Sequence, residues 1–383
     1  MSRIAVNPAL ITWARERAGV DGLALSKRFP KIGQWERGDV QPTLKQLEAF
    51  AHAVHVPIGF LFLPQPPQEA LPVPDFRTLA DQRRTRPSPD LLDTLYLCQQ
   101  RQDWFRDYAR LHGLPKRTFV GSVRPGADVM RTADAIRGTL GLSVAERAQL
   151  PTWTEALRQL IAKAEEAGVL AMASSIVGSN SHRKLDVAEF RGFALADDLA
   201  PLVFINAADS KAAQMFTLAH ELVHLWAGES GVSDVEAGRI PQQRVEGWCN
   251  QVAAELLAPL DAVRAELRKH APLEEEIQRL ARVFKVSSLV ALRRLFDVGR
   301  IDRERLWSLY REEQDRLREI ERGVTGGGDF YRTLGARTGK RFARAVLSST
   351  LEGQTLFQDA FRMLGLRKMA AFYEAARELG VMA

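Results

Sequence analysis

The chain has 383 residues, 46% apolar and 26% charged, with a net charge of +6 and two cysteines. That length favours two or three domains over one. No apolar run approaches the roughly 18 residues of a membrane span, no signal-peptide pattern opens the chain, and two distant thiols exclude a disulfide framework or a CxxC metal site. The expected compartment is the cytoplasm, with Cys98 and Cys249 reduced. The basic balance permits an acidic partner such as nucleic acid without requiring one.

Residues 1–67 carry short helical patterns that end at Phe62-Leu63-Pro64-Gln65-Pro66-Pro67, where three prolines stop any helix. Residues 68–152 read as a helical connector. It contains Pro72-Val73-Pro74-Asp75-Phe76-Arg77 and a helix from Leu91 to Leu111 with Trp104, Phe105 and Tyr108.

The pattern changes at Trp153. A helix over Thr154–Ala167 stops at Gly168, a strand follows over Val169–Ile176, and a polar loop holds Gly178, Ser179 and Asn180. A second strand is expected over Phe190–Leu195, then an apolar run at Leu202-Val203-Phe204-Ile205. The next helix has Asp209 or Ser210 as N-cap, Ala213, Leu218, Leu222 and Trp226 as apolar positions, and Gly228 as stop.

Pro241 suits the first turn of another helix, which must halt before Pro259. Its residues Val245, Trp248, Cys249, Val252 and Leu256 form an apolar stripe. Everything from about 262 reads as helix, interrupted by a hinge at Gly326-Gly327-Gly328. The tail from Phe330 to Ala383 is expected to be an independent helical bundle or docking element. It carries Lys340, Arg341 and Arg344, read as exposed helix charge with a basic nucleic-acid patch as the alternative, and an apolar stripe at Phe357, Phe361 and Leu364.

The chemistry concentrates in His220-Glu221-Leu222-Val223-His224. Positions i and i+4 of a helix lie on one face, so the two imidazoles can converge on a metal ion. Glu221 projects beside them, placed to take a proton from water that a zinc ion has acidified. A catalytic zinc has three protein ligands and one open position. The candidates for the third are Glu246, Cys249, Asn250 and Glu255 on the next helix. Glu246 completes a two-histidine, one-carboxylate set, Cys249 falls on the apolar stripe where a thiol acts as a small hydrophobe, and Asn250 suits orienting a ligand. An oxyanion donor is expected as well. No tyrosine lies between Tyr108 and Tyr310, which leaves Arg239, Arg244 and His182.

Arg191-Gly192-Phe193, Phe216 to His224, and Val245 to Pro259 together resemble the ImmA/IrrE metallopeptidases, gluzincin-like enzymes of bacteria and phages that cleave repressor proteins. The family pattern E-x-x-A-N-x-F-A-A-x-L-L-x-P maps onto Glu246 to Pro259, with cysteine at 249 in place of alanine and valine at 252 in place of phenylalanine. The resemblance covers about residues 153–260 and implies that Glu246 is the third zinc ligand, with one zinc per chain. Residues 153–300 are the expected peptidase domain and 301–383 a C-terminal helical region.

Residues Asn7 to Pro57 resemble a phage-repressor-type helix-turn-helix domain through Trp13-Ala14-Arg15-Glu16-Arg17-Ala18-Gly19 and the run from Gln34 to Thr43. In that family the recognition helix enters the major groove. Here the interval from Ser26 to Trp35 is about one turn short, with Phe29-Pro30 where the turn and recognition helix begin. Arg15, Arg17, Lys27, Arg28, Lys31 and Arg37 are the candidate phosphate contacts. The opposing expectation is a retired DNA-binding domain that holds a protein partner.

The expected fold is α+β and predominantly helical, with a helix-turn-helix-like N-terminal domain, a zincin-type metallopeptidase domain with a small sheet, and helices at the C-terminus. The expected function is an intracellular zinc endopeptidase cleaving a regulatory protein of repressor or antitoxin type. The expected partners are that substrate or a regulatory protein such as a cognate toxin or repressor, with DNA and oligomerisation open and no membrane partner. The alternative is a transcriptional regulator or antitoxin that uses the same fold as a scaffold for a partner or for metal sensing.

Overall fold

The computed structural model describes residues 3–20, 22–67, 69, 71–75, 87–233, 244–321 and 330–382, and of 317–321 and 330–333 the backbone alone. The chain forms two compact units, one of Met1–Pro72 with Leu79–Asp93 and a second of Val73–Thr78 with Thr94–Ala383.

The first unit contains α1 (Pro8–Arg17), α2 (Gly22–Arg28), α3 (Ile32–Arg37), α4 (Leu44–Ala53) and a 3₁₀ turn at Ile58–Phe62. Asn7 caps α1 by accepting from the Ala9 amide, and Thr43 with Gln46 forms a reciprocal capping box on α4. Phe29, Trp35 and Phe50 meet at ring distances of 5.9 to 6.3 Å around the core of this unit. Pro30 lies in the turn between α2 and α3. The residue before a proline disfavours helix, so α2 stops at Arg28 and α3 has six residues.

Helix α5 (Pro89–Leu111) starts in the first unit and belongs to the second from Thr94 onward, and α6 (Val129–Leu140), α7 (Val144–Gln149) and α8 (Trp153–Ala167) follow in the second. The strands β1 (Leu170–Ser174), β2 (Ile176–Val177), β3 (Asn180–Lys184), β4 (Gly192–Leu195) and β5 (Leu202–Asn206) follow, then α9 (Lys211–Ala227), β6 (Gly231–Ser233) and α10 (Arg244–Leu257). Among the described residues that follow, the helices are α11 (Leu260–Glu266), α12 (Leu273–Phe284), α13 (Ser288–Asp297), α14 (Arg303–Glu321), α15 (Phe330–Thr338), α16 (Lys340–Leu351), α17 (Phe357–Leu364) and α18 (Met369–Glu378).

The main sheet runs β1-β5-β4-β6, parallel between β1 and β5 and antiparallel elsewhere. The outer edge of β6 is not bare: the Val232 amide donates to the Pro74 carbonyl at 3.1 Å, and Asp75 bridges to Val232. The loop expected around Gly178 is the turn of a β2–β3 hairpin. The strand expected over Val169–Ile176 divides after Ser174, whose hydroxyl accepts from the Ile176 amide at 3.1 Å.

Helix α9 is capped by Ser210, whose side chain accepts from the Ala213 amide, and ends at Gly228 in the left-handed conformation. Every residue from Gln214 to Trp226 is buried, so this helix runs through the core with the sheet, α8 and α10 around it. On α10, Trp248, Cys249, Val252 and Leu256 of the expected stripe are buried, and Val245 at its start is half-buried. Its expected start at Pro241, the hinge at Gly326–Gly328, and Phe76 and Arg77 lie outside the described residues.

The C-terminal helices, expected as an independent bundle or docking element, pack within the second unit, where α15 and α16 lie against β1. The buried Arg101 guanidinium of α5 donates to the Met363 carbonyl at 2.8 and 3.0 Å, tying α5 to the end of α17. Lys340 and Arg344 are exposed as expected, but Arg341 is half-buried with its guanidinium over the Phe105 ring. Phe357 and Phe361 pack on Phe372 of α18.

Candidate metal centre

Two helices and two strands build the site. On α9, one turn separates His220 from His224, and their Nε2 atoms stand 3.0 Å apart. Glu246, in the first turn of α10, brings Oε2 to 3.2 Å from His220 Nε2 and Oε1 to 3.0 Å from His224 Nε2. The Glu246 Oε1 atom nonetheless makes no hydrogen bond. Two imidazole nitrogens and one carboxylate thus crowd one point.

Those separations suit a metal. Zinc–ligand bonds of 2.0–2.1 Å in tetrahedral array put neighbouring ligand atoms about 3.3 Å apart, close to the spacings here. One turn after Glu246, Asn250 Oδ1 lies 3.0 Å from His220 Nδ1. A carboxamide oxygen only accepts, so Nδ1 carries the proton and the Nε2 lone pair faces inward. Cys249 Sγ also lies within 4.8 Å of a nitrogen of each histidine, making His220, His224 and Cys249 a possible metal-holding group. The Glu246 oxygens are nearer and meet the same two Nε2 atoms. Glu255 is committed elsewhere: its carboxylate lies 3.2 Å from Arg294 and accepts from the Leu260 amide at 3.3 Å.

Electrostatics agree. Burial acts to raise the Glu246 pKa, but His220 and His224 outweigh it and hold the group at about 2. Burial lowers the pKa of His224, against the pull of Glu246. The two tendencies conflict, because ionising Glu246 draws on imidazolium charge that burial suppresses. A divalent cation among neutral imidazoles and a carboxylate satisfies both. Burial, reinforced by the negative charges of Glu246, Glu221 and Glu229, pushes the Cys249 thiol well above its usual value, which favours its reading as a packed hydrophobe.

Glu221 is fully buried, and neither carboxyl oxygen makes a hydrogen bond. Burial and then the Glu246 charge raise its pKa well above the ordinary carboxylate value, while the neighbouring Ser233 hydroxyl acts in the opposite direction. The β4 backbone presses on this carboxyl at Gly192, where a Cβ would stand 3.0 Å from Glu221 Oε1 and 2.6 Å from Thr217 Cγ2. Only glycine allows that approach.

The remaining candidates lie elsewhere. His182 is exposed on the β2–β3 hairpin, Arg244 is exposed at the start of α10, and Arg239 lies outside the described residues. In the first unit, Arg15 pairs with Glu36 at 2.6 Å, Arg17 with Glu69, and Arg37 with Asp39 at 2.9 Å. Lys27, Arg28 and Lys31 are exposed around the α2–α3 turn. Ser233 escaped sequence reasoning because a single serine in Gly231-Val232-Ser233 carries no motif. The other signal, Arg191-Gly192-Phe193, marked the strand without showing that Gly192 touches Glu221.

Residues 164–296 match the model of a peptidase family, described as the IrrE N-terminal-like domain. That span runs from the last turn of α8 into α13 and contains His220, Glu221, His224 and Glu246. Residues 338–378 match a model described as a domain of unknown function. No curated protein matches the chain.

Proposed function

We propose that the chain is a zinc-dependent endopeptidase acting inside the cell on a regulatory protein, of repressor or antitoxin type. The observation that carries the reading is the convergence of His220 Nε2 and His224 Nε2, 3.0 Å apart, on the Glu246 carboxylate, whose Oε2 lies 3.2 Å from the first and Oε1 3.0 Å from the second, with the Glu221 carboxyl near enough to feel the Glu246 charge. A zinc ion held there supplies Lewis acidity and lowers the pKa of bound water to about 7.

The chain's own groups supply the rest. His220, His224 and Glu246 are the ligands we propose, and Asn250 fixes the His220 ring by accepting from Nδ1. Glu221, fully buried, is the base that removes a proton from the attacking water and passes it to the leaving amine. Burial and the Glu246 charge raise its pKa, which makes the carboxylate a stronger base than an exposed one. The apolar surroundings keep bulk water from screening these charges. The choice of a regulatory protein as substrate rests on the resemblance to repressor-cleaving enzymes. Among the described residues, no helix is long and apolar enough to cross a membrane.

Elemental analysis combined with Glu221→Gln tests the reading. Wild type and variant should each hold about one zinc per chain, and the wild type alone should cleave protein. A wild type without zinc, or a Gln variant with full biological effect, overturns catalysis and leaves the scaffold reading, a regulator or antitoxin that binds a partner.

For the first unit, we propose phosphate contact through Lys27, Arg28 and Lys31, since Arg15, Arg17 and Arg37 are engaged in ion pairs. Labelled duplex titrated at several salt concentrations checks it. Binding should weaken steeply with salt, and no binding at low salt refutes DNA contact.

A further inference from the structure

The buried groups around Glu221 leave one side chain that the peptidase reading does not use. Ser233 ends β6, directly opposite Gly192 of β4 in the antiparallel register. Residues directly opposite in such a pair project from the same face of the sheet. The face is known at Gly192, because a Cβ there would point at Glu221 Oε1 from 3.0 Å. Ser233 therefore presents its side chain on the face that meets the Glu221 carboxyl.

Neither group has another partner. Ser233 and Glu221 are wholly inaccessible to solvent, their oxygens make no hydrogen bond of good geometry, and the Ser233 hydroxyl is close enough to Glu221 to favour its ionised form. Buried polar groups without partners cost about 1–3 kcal/mol each, so such a pair side by side in a dry site calls for an explanation. Their chemistry is complementary, since a carboxylate only accepts and a hydroxyl can donate. The strand pairing fixes the Ser233 backbone, and rotation about χ1 alone moves the hydroxyl among its staggered positions.

We propose that Ser233 is a positioning residue for Glu221: its hydroxyl donates to the carboxylate and holds it in the orientation that faces the metal ligands. The proposal rests on the peptidase reading and adds to it a residue from outside both helices. A serine supplies what Glu221 otherwise lacks, because Gly192, on the same face, has no side chain to offer. It also gives the short strand β6 a task, that of carrying one hydroxyl to the base.

The experiment uses the full chain, zinc-loaded and after chelation, with fluorescein-labelled casein as the cleavage probe. Ser233→Ala should lower kcat roughly 10- to 100-fold, as loss of an orienting partner does, with KM and zinc content unchanged. Ser233→Thr, which keeps the hydroxyl, should recover most of the rate. Wild-type turnover in Ser233→Ala overturns the proposal.

A melting-temperature cycle over Ser233→Ala, Glu221→Ala and the double variant gives a readout independent of turnover. A shift on Ser233→Ala that differs between the wild-type and Glu221→Ala backgrounds supports the contact. Strictly additive shifts refute it. A wild type that holds zinc but leaves casein intact counts against the peptidase reading alone, and the cycle then decides the contact.

Discussion

Replacing Gly192 by alanine asks how tightly the sheet is pressed onto the proposed base. The added methyl would stand 2.6 Å from Thr217 Cγ2, 2.9 Å from the Phe204 carbonyl oxygen and 3.0 Å from Glu221 Oε1. Two of these neighbours cannot turn away. Phe204 O belongs to the backbone of β5, paired with β4 through Phe193, and Thr217 is buried in the middle of α9. The strain must move β4 away from α9 or turn Glu221. Overpacking of this kind costs about 1–3 kcal/mol, or roughly 2–12 °C in melting temperature at 2–4 °C per kcal/mol for a unit of this size. Differential scanning calorimetry of the full chain measures it. Thr217→Ser removes the methyl behind the shortest contact, so the double variant should regain part of the loss. Cleavage should fall further than stability, because the added methyl also meets the carboxyl itself. An alanine variant as stable and active as wild type would refute the close approach on which the site's geometry is argued.

Other changes separate the roles assigned to neighbouring residues. Asn250→Ala removes the acceptor on His220 Nδ1 and should weaken zinc binding roughly 10- to 100-fold in competition with a chromophoric chelator. Glu246→Ala should weaken it more than Cys249→Ala in the same titration, and the reverse order would make the sulfur the third ligand. Arg294→Leu leaves Glu255 buried without its ion pair and should destabilise the second unit by about 3–5 kcal/mol in denaturant unfolding, with zinc stoichiometry unchanged.

The motif-bearing helices were legible because their signals are local. Ser210 and Gly228 mark the ends of α9, and the spacing of His220 and His224 needs nothing beyond one turn of helix. The α10 stripe was readable for the same reason. The hairpin strand Asn180–Lys184 was not, since it is polar, with neither face fully buried, and offers no apolar alternation to see. Strand β6 has three residues and exists through pairing with β4, nearly forty positions earlier in the chain. Its serine becomes informative only once that register is known. Arg101 shows the same limit. An arginine on an amphipathic helix reads as exposed, yet its guanidinium is held by carbonyls more than two hundred residues away.

The pairing of Val232 with Pro74 bears on how the chain can be divided. The chain leaves the first unit after Pro72, contributes Val73–Thr78 to the second, and rejoins the first over Leu79–Asp93. No single cut therefore releases both units whole. A fragment beginning at Thr94 lacks the residues that cover β6, and the bared Val232 amide turns the sheet into a template for another strand. Such a fragment should self-associate where one that starts before Val73 stays dispersed, so Pro74 and Asp75 serve as the selvedge that keeps the sheet from fraying into its neighbours.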